Sequence, residues 1–163
     1  MPNCTRGEME FGRLGRCTIE ANFEGGALSS DGGLMLLRQV DRRIGLSRAV
    51  AESLHDPRNQ ERITHGMRDL VAQRLYALCC GYEDLNDHAV LRNDPLMQTA
   101  VGTSDELGSS PTLCRLEQRA TRSDIVALNR VLIDQFIASH TQAPEELVLD
   151  IDASDIPLHG EQE

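Results

Sequence analysis

The chain has 163 residues, of which 40% are hydrophobic and 26% charged, and it carries a formal net charge of −10. This length and composition predict one globular domain, or one domain and part of a second, and exclude wholesale disorder. No apolar stretch reaches the roughly 18–20 residues of a membrane span, and the first residues lack the apolar segment of a secretory signal, so we expect a cytoplasmic protein.

The negative charge is concentrated at one end of the chain. Residues 145–163 hold seven of the 26 acidic residues and no arginine, whereas the first 144 residues hold 19 acids and all 16 basic residues, every one of them arginine. The net charge therefore does not exclude nucleic acid as a partner. Two Tyr, three Phe and no Trp argue against a base-stacking platform for single strands.

Helical periodicity dominates the chain after a polar, glycine-containing lead-in over 1–28, which gives no clear strand. Glycines and prolines at the expected ends define the segments. In chain order, the predicted helices are 31–44 (capped at 29–31 and ended by Gly45), 47–54, 64–80 (ended by Gly81), 83–92, 95–101, 111–119 and 123–139. We therefore predict a helical region over 29–144.

The period changes at residues 147–152, an apolar run that predicts a single strand containing two acids. Alternate residues of a strand share a face, so Asp150 and Asp152 point the same way, about 6.5–7 Å apart. Such a pair is costly to bury without a positive partner, and a divalent cation is the usual one. The alternative is an edge strand whose acids simply face water.

Locally, residues 147–154 resemble the signature strand of haloacid-dehalogenase-like phosphatases. That resemblance implies a nucleophile at Asp150 and an acid/base at Asp152. Such phosphatases need a large domain and a lysine after the motif. Eleven residues follow Asp152 and the chain has no lysine, so this alternative is the weaker one.

A broader resemblance covers residues 20–163. The matching blocks, in order, are FEGGALSSDGGL (23–34), VDRRIGL (40–46), HGMRDLVAQR (65–74), GYEDLNDH (81–88), LRNDP (91–95), SPTLCRLE (110–117) and LDIDASDIPLHGEQ (149–162). In this order and spacing the chain resembles the N-terminal part of a bacterial insertion-sequence transposase of the DDE type, transposase DDE domain group 1.

The resemblance implies a mainly α N-terminal region followed, over 145–163, by the first strand of an incomplete α/β ribonuclease-H-like catalytic domain. Asp152, followed by a small residue and the hydroxyl of Ser154, would be the first acid of the Asp-Asp-Glu triad, with Asp150 the alternative. Both acids would bind Mg²⁺ or Mn²⁺ for DNA cleavage and strand transfer. The other triad acids are not in this chain, so we expect it to be inactive by itself.

The family also implies binding to double-stranded DNA at transposon terminal inverted repeats, self-association in a synaptic complex and a place at the nucleoid. Residues 110–117 resemble the start of a recognition helix, with Thr112, Arg115 and Arg119 as candidate DNA contacts. Arg42 and Arg43 are further candidates. The alternatives are an ordinary capped helix with surface arginines and, for the chain, a non-catalytic helical DNA-binding or interaction module.

The remaining polar residues of the helical region receive a structural interpretation. Arg38, Arg68 and Arg74 are expected mainly on solvated helix faces, with phosphate contact as the alternative. His65 and His88 show no metal-binding spacing and are expected to be surface or capping residues.

Overall fold

A computed structural model describes residues 9–21 and 31–151 and is mainly helical there, as predicted. The strands are β1 (Met9–Leu14) and β2 (Cys17–Ala21). The helices are α1 (Leu34–Ile44), α2 (Leu46–Ser53), α3 (Met67–Cys79), α4 (His88–Leu91), α5 (Pro95–Val101), α6 (Ser110–Gln118) and α7 (Arg122–Ala138), with 3₁₀ turns at Gln60–Arg62 and Leu85–Asp87. Within these residues no helix is long and apolar enough to cross a membrane.

The lead-in contains an antiparallel β-hairpin, which corrects the featureless reading of 1–28. Leu14 pairs with Cys17 across the turn, and Phe11 is buried in the core beside α1. An isolated two-stranded hairpin is marginally stable in water. Packing of Phe11 and Ile19 against the helices supplies the missing stability, and so few apolar positions give little signal in the sequence.

Helices α1 and α2 meet at Gly45, whose φ of 71° is the left-handed conformation that glycine adopts without a side-chain clash. The corner is fixed by the carboxylate of Asp41. It accepts hydrogen bonds from the Ser47 amide at 2.8 Å, the Ser47 hydroxyl at 2.5 Å and the Tyr76 hydroxyl at 2.9 Å. One side chain thus joins α1, α2 and α3.

Helix α3 is the centre of the bundle and contacts α1, α2, α5 and α6. Its buried residues lie on more than one side of the helix, as expected of a helix with neighbours all around. They are Leu70, Val71, Ala72, Gln73, Tyr76 and Ala77. The predicted helix over 64–80 is confirmed, with its start three residues later than expected.

Helix α7 begins with a capping box between Thr121 and Asp124, and the Asp124 carboxylate also accepts a hydrogen bond from the His55 amide at 3.2 Å. The predicted helix is confirmed, but several of its apolar side chains are not buried. Ile125, Leu132 and Phe136 are exposed, whereas Leu128, Val131 and Gln135 are half-buried. The spacing of the apolar residues alone did not reveal which side of the helix meets a neighbour.

The predicted strand over 147–152 is not present in its described part. Residues 147–151 lie in neither helix nor strand and are exposed, and Asp152 lies outside the described residues. A strand needs a neighbour for its backbone hydrogen bonds, and the described sheet consists of β1 and β2 alone.

Replacing Asp41 with alanine is expected to lower the free energy of unfolding by about 3 kcal/mol, because two hydroxyls and one amide lose their acceptor. Urea denaturation would measure the change. Glu52→Ala is the control, since its pair with Arg48 is exposed and exposed pairs contribute little to stability. Equal losses in the two variants would contradict the role given to Asp41.

Candidate functional site

Apart from the buried Arg38, the arginines of the described residues fall into two groups. Six form ion pairs with carboxylates, and they are Arg48, Arg58, Arg74, Arg92, Arg119 and Arg130. Among the described residues, eight exposed arginines have no carboxylate partner. They are Arg13, Arg16, Arg42, Arg43, Arg62, Arg68, Arg115 and Arg122. An unpaired exposed guanidinium is the kind that is free to bind phosphate.

The three candidates of α6 differ in their availability. Arg115 is exposed and without a carboxylate partner among the described residues. Arg119 is half-buried and lies 4.0 Å from the Asp56 carboxylate. The Thr112 hydroxyl is 3.0 Å from that of Ser109. The structure therefore places one free candidate cation on this helix, Arg115, rather than two.

Asp56 forms a shorter ion pair with Arg58 than with Arg119. Arg58 donates two hydrogen bonds of 2.7 Å from its side chain to Asp56 and a third of 3.0 Å to the His65 carbonyl. The guanidinium keeps the pKa of Asp56 well below its usual range. This ion pair lies in the loop between α2 and α3, and Arg119 contacts the loop through Asp56.

The start of α6 is fixed by a buried side-chain amide. Gln73 donates to the Gly108 carbonyl and accepts from the Gly108 amide, both at 2.9 Å, and its nitrogen lies 3.0 Å from Nδ1 of His88. A Cβ on Gly108 would lie 2.6 Å from Leu70. Glycine is needed here because the backbone of the loop approaches α3 so closely.

His88 is fully buried, so the expectation of a surface or capping histidine is wrong. Burial and the positive charge of Arg74 lower the pKa of His88. In its neutral form Nδ1 can accept the hydrogen bond from Gln73. The sequence contains no local signal for this contact, because the two residues are 15 positions apart and belong to different helices.

Arg74 is also a structural residue and not part of a solvated face. Its guanidinium contacts Glu117 of α6 at 2.6 Å and the carbonyls of Tyr82 and Glu83 at 3.1 and 2.8 Å. It thereby joins α3, α6 and the segment after α3. Arg38, likewise expected at the surface, is 2% exposed.

An apolar cavity of about 280 Å³ lies between α2, α3, α6 and α7. Three of its polar lining residues are engaged with the surrounding structure: Arg74 pairs with Glu117, Arg119 lies 4.0 Å from Asp56, and Asp124 caps α7. His55 also lines the cavity.

The two acids of the C-terminal segment lie at the limit of the described residues. Asp150 is exposed, and Asp152 lies outside the described residues. The described part of the chain contains no cluster of three or more metal-ligating side chains.

The comparisons with known proteins point to one family. Its model, described as "Transposase DDE domain group 1", matches residues 11–163. No curated protein and no solved structure matches the chain significantly.

The lowered pKa of His88 predicts a loss of stability in acid. In the unfolded chain His88 binds a proton near pH 6.5, whereas in the native state it binds one only at lower pH. The free energy of unfolding therefore keeps its full value above pH 6.5 and falls below it, by up to about 1.4 kcal/mol per pH unit. Unfolding free energies measured between pH 7 and pH 5 should fall less steeply in His88→Asn than in the wild type. The exposed His140 supplies the control variant His140→Asn, and a slope unaffected by His88→Asn would contradict the prediction.

Proposed function

The chain belongs to the transposase DDE domain group 1 family, and we propose that it forms the N-terminal, largely helical part of a transposase that cuts and rejoins DNA. The observation that carries the proposal is the family match, which extends from residue 11 to residue 163. In this proposal the helical region binds DNA ends and contributes to assembly. The acidic segment after it begins the catalytic domain.

We propose Asp152 as the first acid of the catalytic triad, with Asp150 as the alternative. Their segment would become the first strand of a ribonuclease-H-like sheet when partner strands are available to bond its backbone. The exposed, unpaired state of residues 147–151 is consistent with a segment that needs such partners.

DDE transposase domains generally use divalent metal ions, and we propose Mg²⁺ or Mn²⁺ for this one. Asp152 and Asp150 are the residues that would hold the metal. When bound, a pair of such ions supplies Lewis-acid stabilisation of the attacking and leaving oxygens in phosphodiester cleavage. The chain's own contribution is to place a carboxylate there, and to hold DNA with its arginines.

The DNA partner in this proposal is the terminal inverted repeat of the element, at the nucleoid. Of the arginines expected to bind DNA, Arg42, Arg43 and Arg115 are exposed and have no carboxylate partner among the described residues. Helix α6 is held by Gln73 and Arg74 in one orientation, and such rigidity favours recognition, since little ordering is left for the moment of binding.

In the transposase that contains this chain, Asp152→Asn is expected to reduce excision and strand transfer to background while binding to the element's ends is retained. The acid acts in catalysis and not in DNA recognition. Excision of a marked element in cells and a gel-shift assay with repeat and random duplexes measure the two effects. Glu146→Gln, which removes a nearby charge of the same segment, should keep activity.

The outcomes separate the alternatives. Full loss in Asp150→Asn with activity retained in Asp152→Asn would transfer the catalytic role to Asp150. Activity retained in both variants would contradict the catalytic proposal. Binding without preference for the repeats would contradict end recognition.

We also propose that the chain associates with a second copy through α7. Large apolar side chains on this helix are 47–63% exposed: Ile125, Val126, Leu132, Ile133, Phe136 and Ile137. At roughly 100 Å² of exposed surface each they form a patch of about 600 Å², the upper end of what monomers expose. Two such patches reach the lower limit of a stable interface, about 1,200 Å² in total.

Ile133→Asp is expected to convert associated protein to monomer, because it places a charge in the centre of the apolar patch. Light scattering over a concentration series measures the change. Val90→Asp is the matched control, since Val90 is equally apolar and 77% exposed but lies on α4. A wild-type chain that stays monomeric throughout the series would contradict the proposal.

A further inference from the structure

We infer that the β-hairpin and α1 together form a binding surface for the phosphate backbone of duplex DNA. This surface, the arginine face, consists of Arg13 and Arg16 of the hairpin and of Arg38, Arg42 and Arg43 of α1. The inference rests on the proposed function for the identity of the polyanion. Its charge and geometry come from the structure, and two of its members, Arg13 and Arg16, are absent from the expectations drawn from the sequence.

The hairpin lies directly against α1. Arg38 donates a hydrogen bond of 3.3 Å to the carbonyl of Phe11, and a Cβ on Gly12 would lie 3.5 Å from the Arg42 guanidinium. Arg13 follows Gly12 in β1, and Arg16 is in the turn that ends it. Arg13 and Arg16 are therefore one and four residues along the chain from Gly12, the point at which the hairpin meets Arg42. A strand rises about 3.3 Å per residue.

The exposed arginines of this face stand apart from the ion pairs that the described residues form. Arg13, Arg16, Arg42 and Arg43 are exposed, and none of them forms an ion pair with a described residue. Other arginines of the bundle do: Arg74, for example, lies 2.6 Å from Glu117. The contrast indicates that this face is not part of the bundle's internal ion-pair network.

Arg38 adds a buried charge beneath the exposed ones. It is 2% exposed and hydrogen-bonds a carbonyl rather than a carboxylate. Burial and the positive charge of Arg42 both lower the pKa of Arg38, which shows that the two cations repel each other. A buried cation that forms no ion pair with a described carboxylate raises the local positive potential and favours an anion arriving from solvent.

No acid among the described residues forms an ion pair with an arginine of this face. The Asp41 carboxylate accepts hydrogen bonds from Ser47 and Tyr76 at the α1–α2 corner. Glu10 and Glu20 are backbone partners at the end of the hairpin away from its turn. The turn end of the hairpin, with Arg13 and Arg16, is therefore the basic end.

The shape of this element also suits duplex DNA. The major groove admits a two-stranded β-ribbon as well as a helix, and arginines beside such a ribbon can bind the phosphates that border the groove. Arg42 and Arg43 line one shallow depression on α1. The arginine face thus has four exposed arginines, whereas α6 has one free candidate cation, Arg115.

The test is binding of the full chain to a fluorescein-labelled random-sequence duplex, followed by anisotropy across a salt series. Removing two phosphate contacts lowers the slope of log K against log salt by about 2, since each contact contributes about 0.9. We expect this reduction in R13A/R16A and again in R42A/R43A. R62A/R68A is the matched control: it removes two exposed unpaired arginines outside the face and should keep the wild-type slope.

Each outcome decides the inference. Wild-type binding whose slope is unchanged in R13A/R16A and R42A/R43A overturns the arginine face and leaves the proposed function standing. An equal reduction in the control pair also overturns it, because the effect would then be one of net charge. Failure of the wild type to bind duplex at low salt overturns both. Thermal unfolding midpoints equal to that of the wild type establish that each variant is folded.

Discussion

Three hydrogen bonds to the Asp41 carboxylate hold the corner on which the rest of the bundle depends. They join α1, α2 and α3 through Ser47 and Tyr76, and α3 in turn contacts α5 and α6. The Tyr76 hydroxyl is protonated at physiological pH like that of any tyrosine, and burial and the bond to Asp41 raise its pKa further. The orientation of α1, and with it that of Arg42, follows from this corner.

The arginines of the described residues differ in whether a carboxylate lies near enough in space to pair with them. Arg74 and Arg58 stabilise the bundle because their guanidinium groups meet carboxylates and carbonyls in fixed geometry. Arg13 and Arg42 have no carboxylate partner among the described residues and remain available to a polyanion. The net charge of −10 conceals this division, since a DNA-binding surface needs local and not overall positive charge.

The helices were predictable because their signal is local. Apolar residues at three- and four-residue spacing and glycines at the ends located α3 and α7 to within three residues and the end of α1 at Gly45. The hairpin was not predictable from the sequence, because its stability comes from the packing of Phe11 on helices more than twenty residues away in the chain. Burial of His88 was missed for the same reason: its partner Gln73 lies on another helix.

The sequence by itself determined the helical character, the acidic C-terminal segment with Asp150 and Asp152, and the family, which the match over residues 11–163 confirmed. Only the tertiary structure decided which arginines are paired and which are free. An ion pair such as Arg74–Glu117 joins residues 43 positions apart, and no periodicity connects them. Secondary structure depends on neighbours along the chain, whereas the availability of a charge depends on neighbours in space.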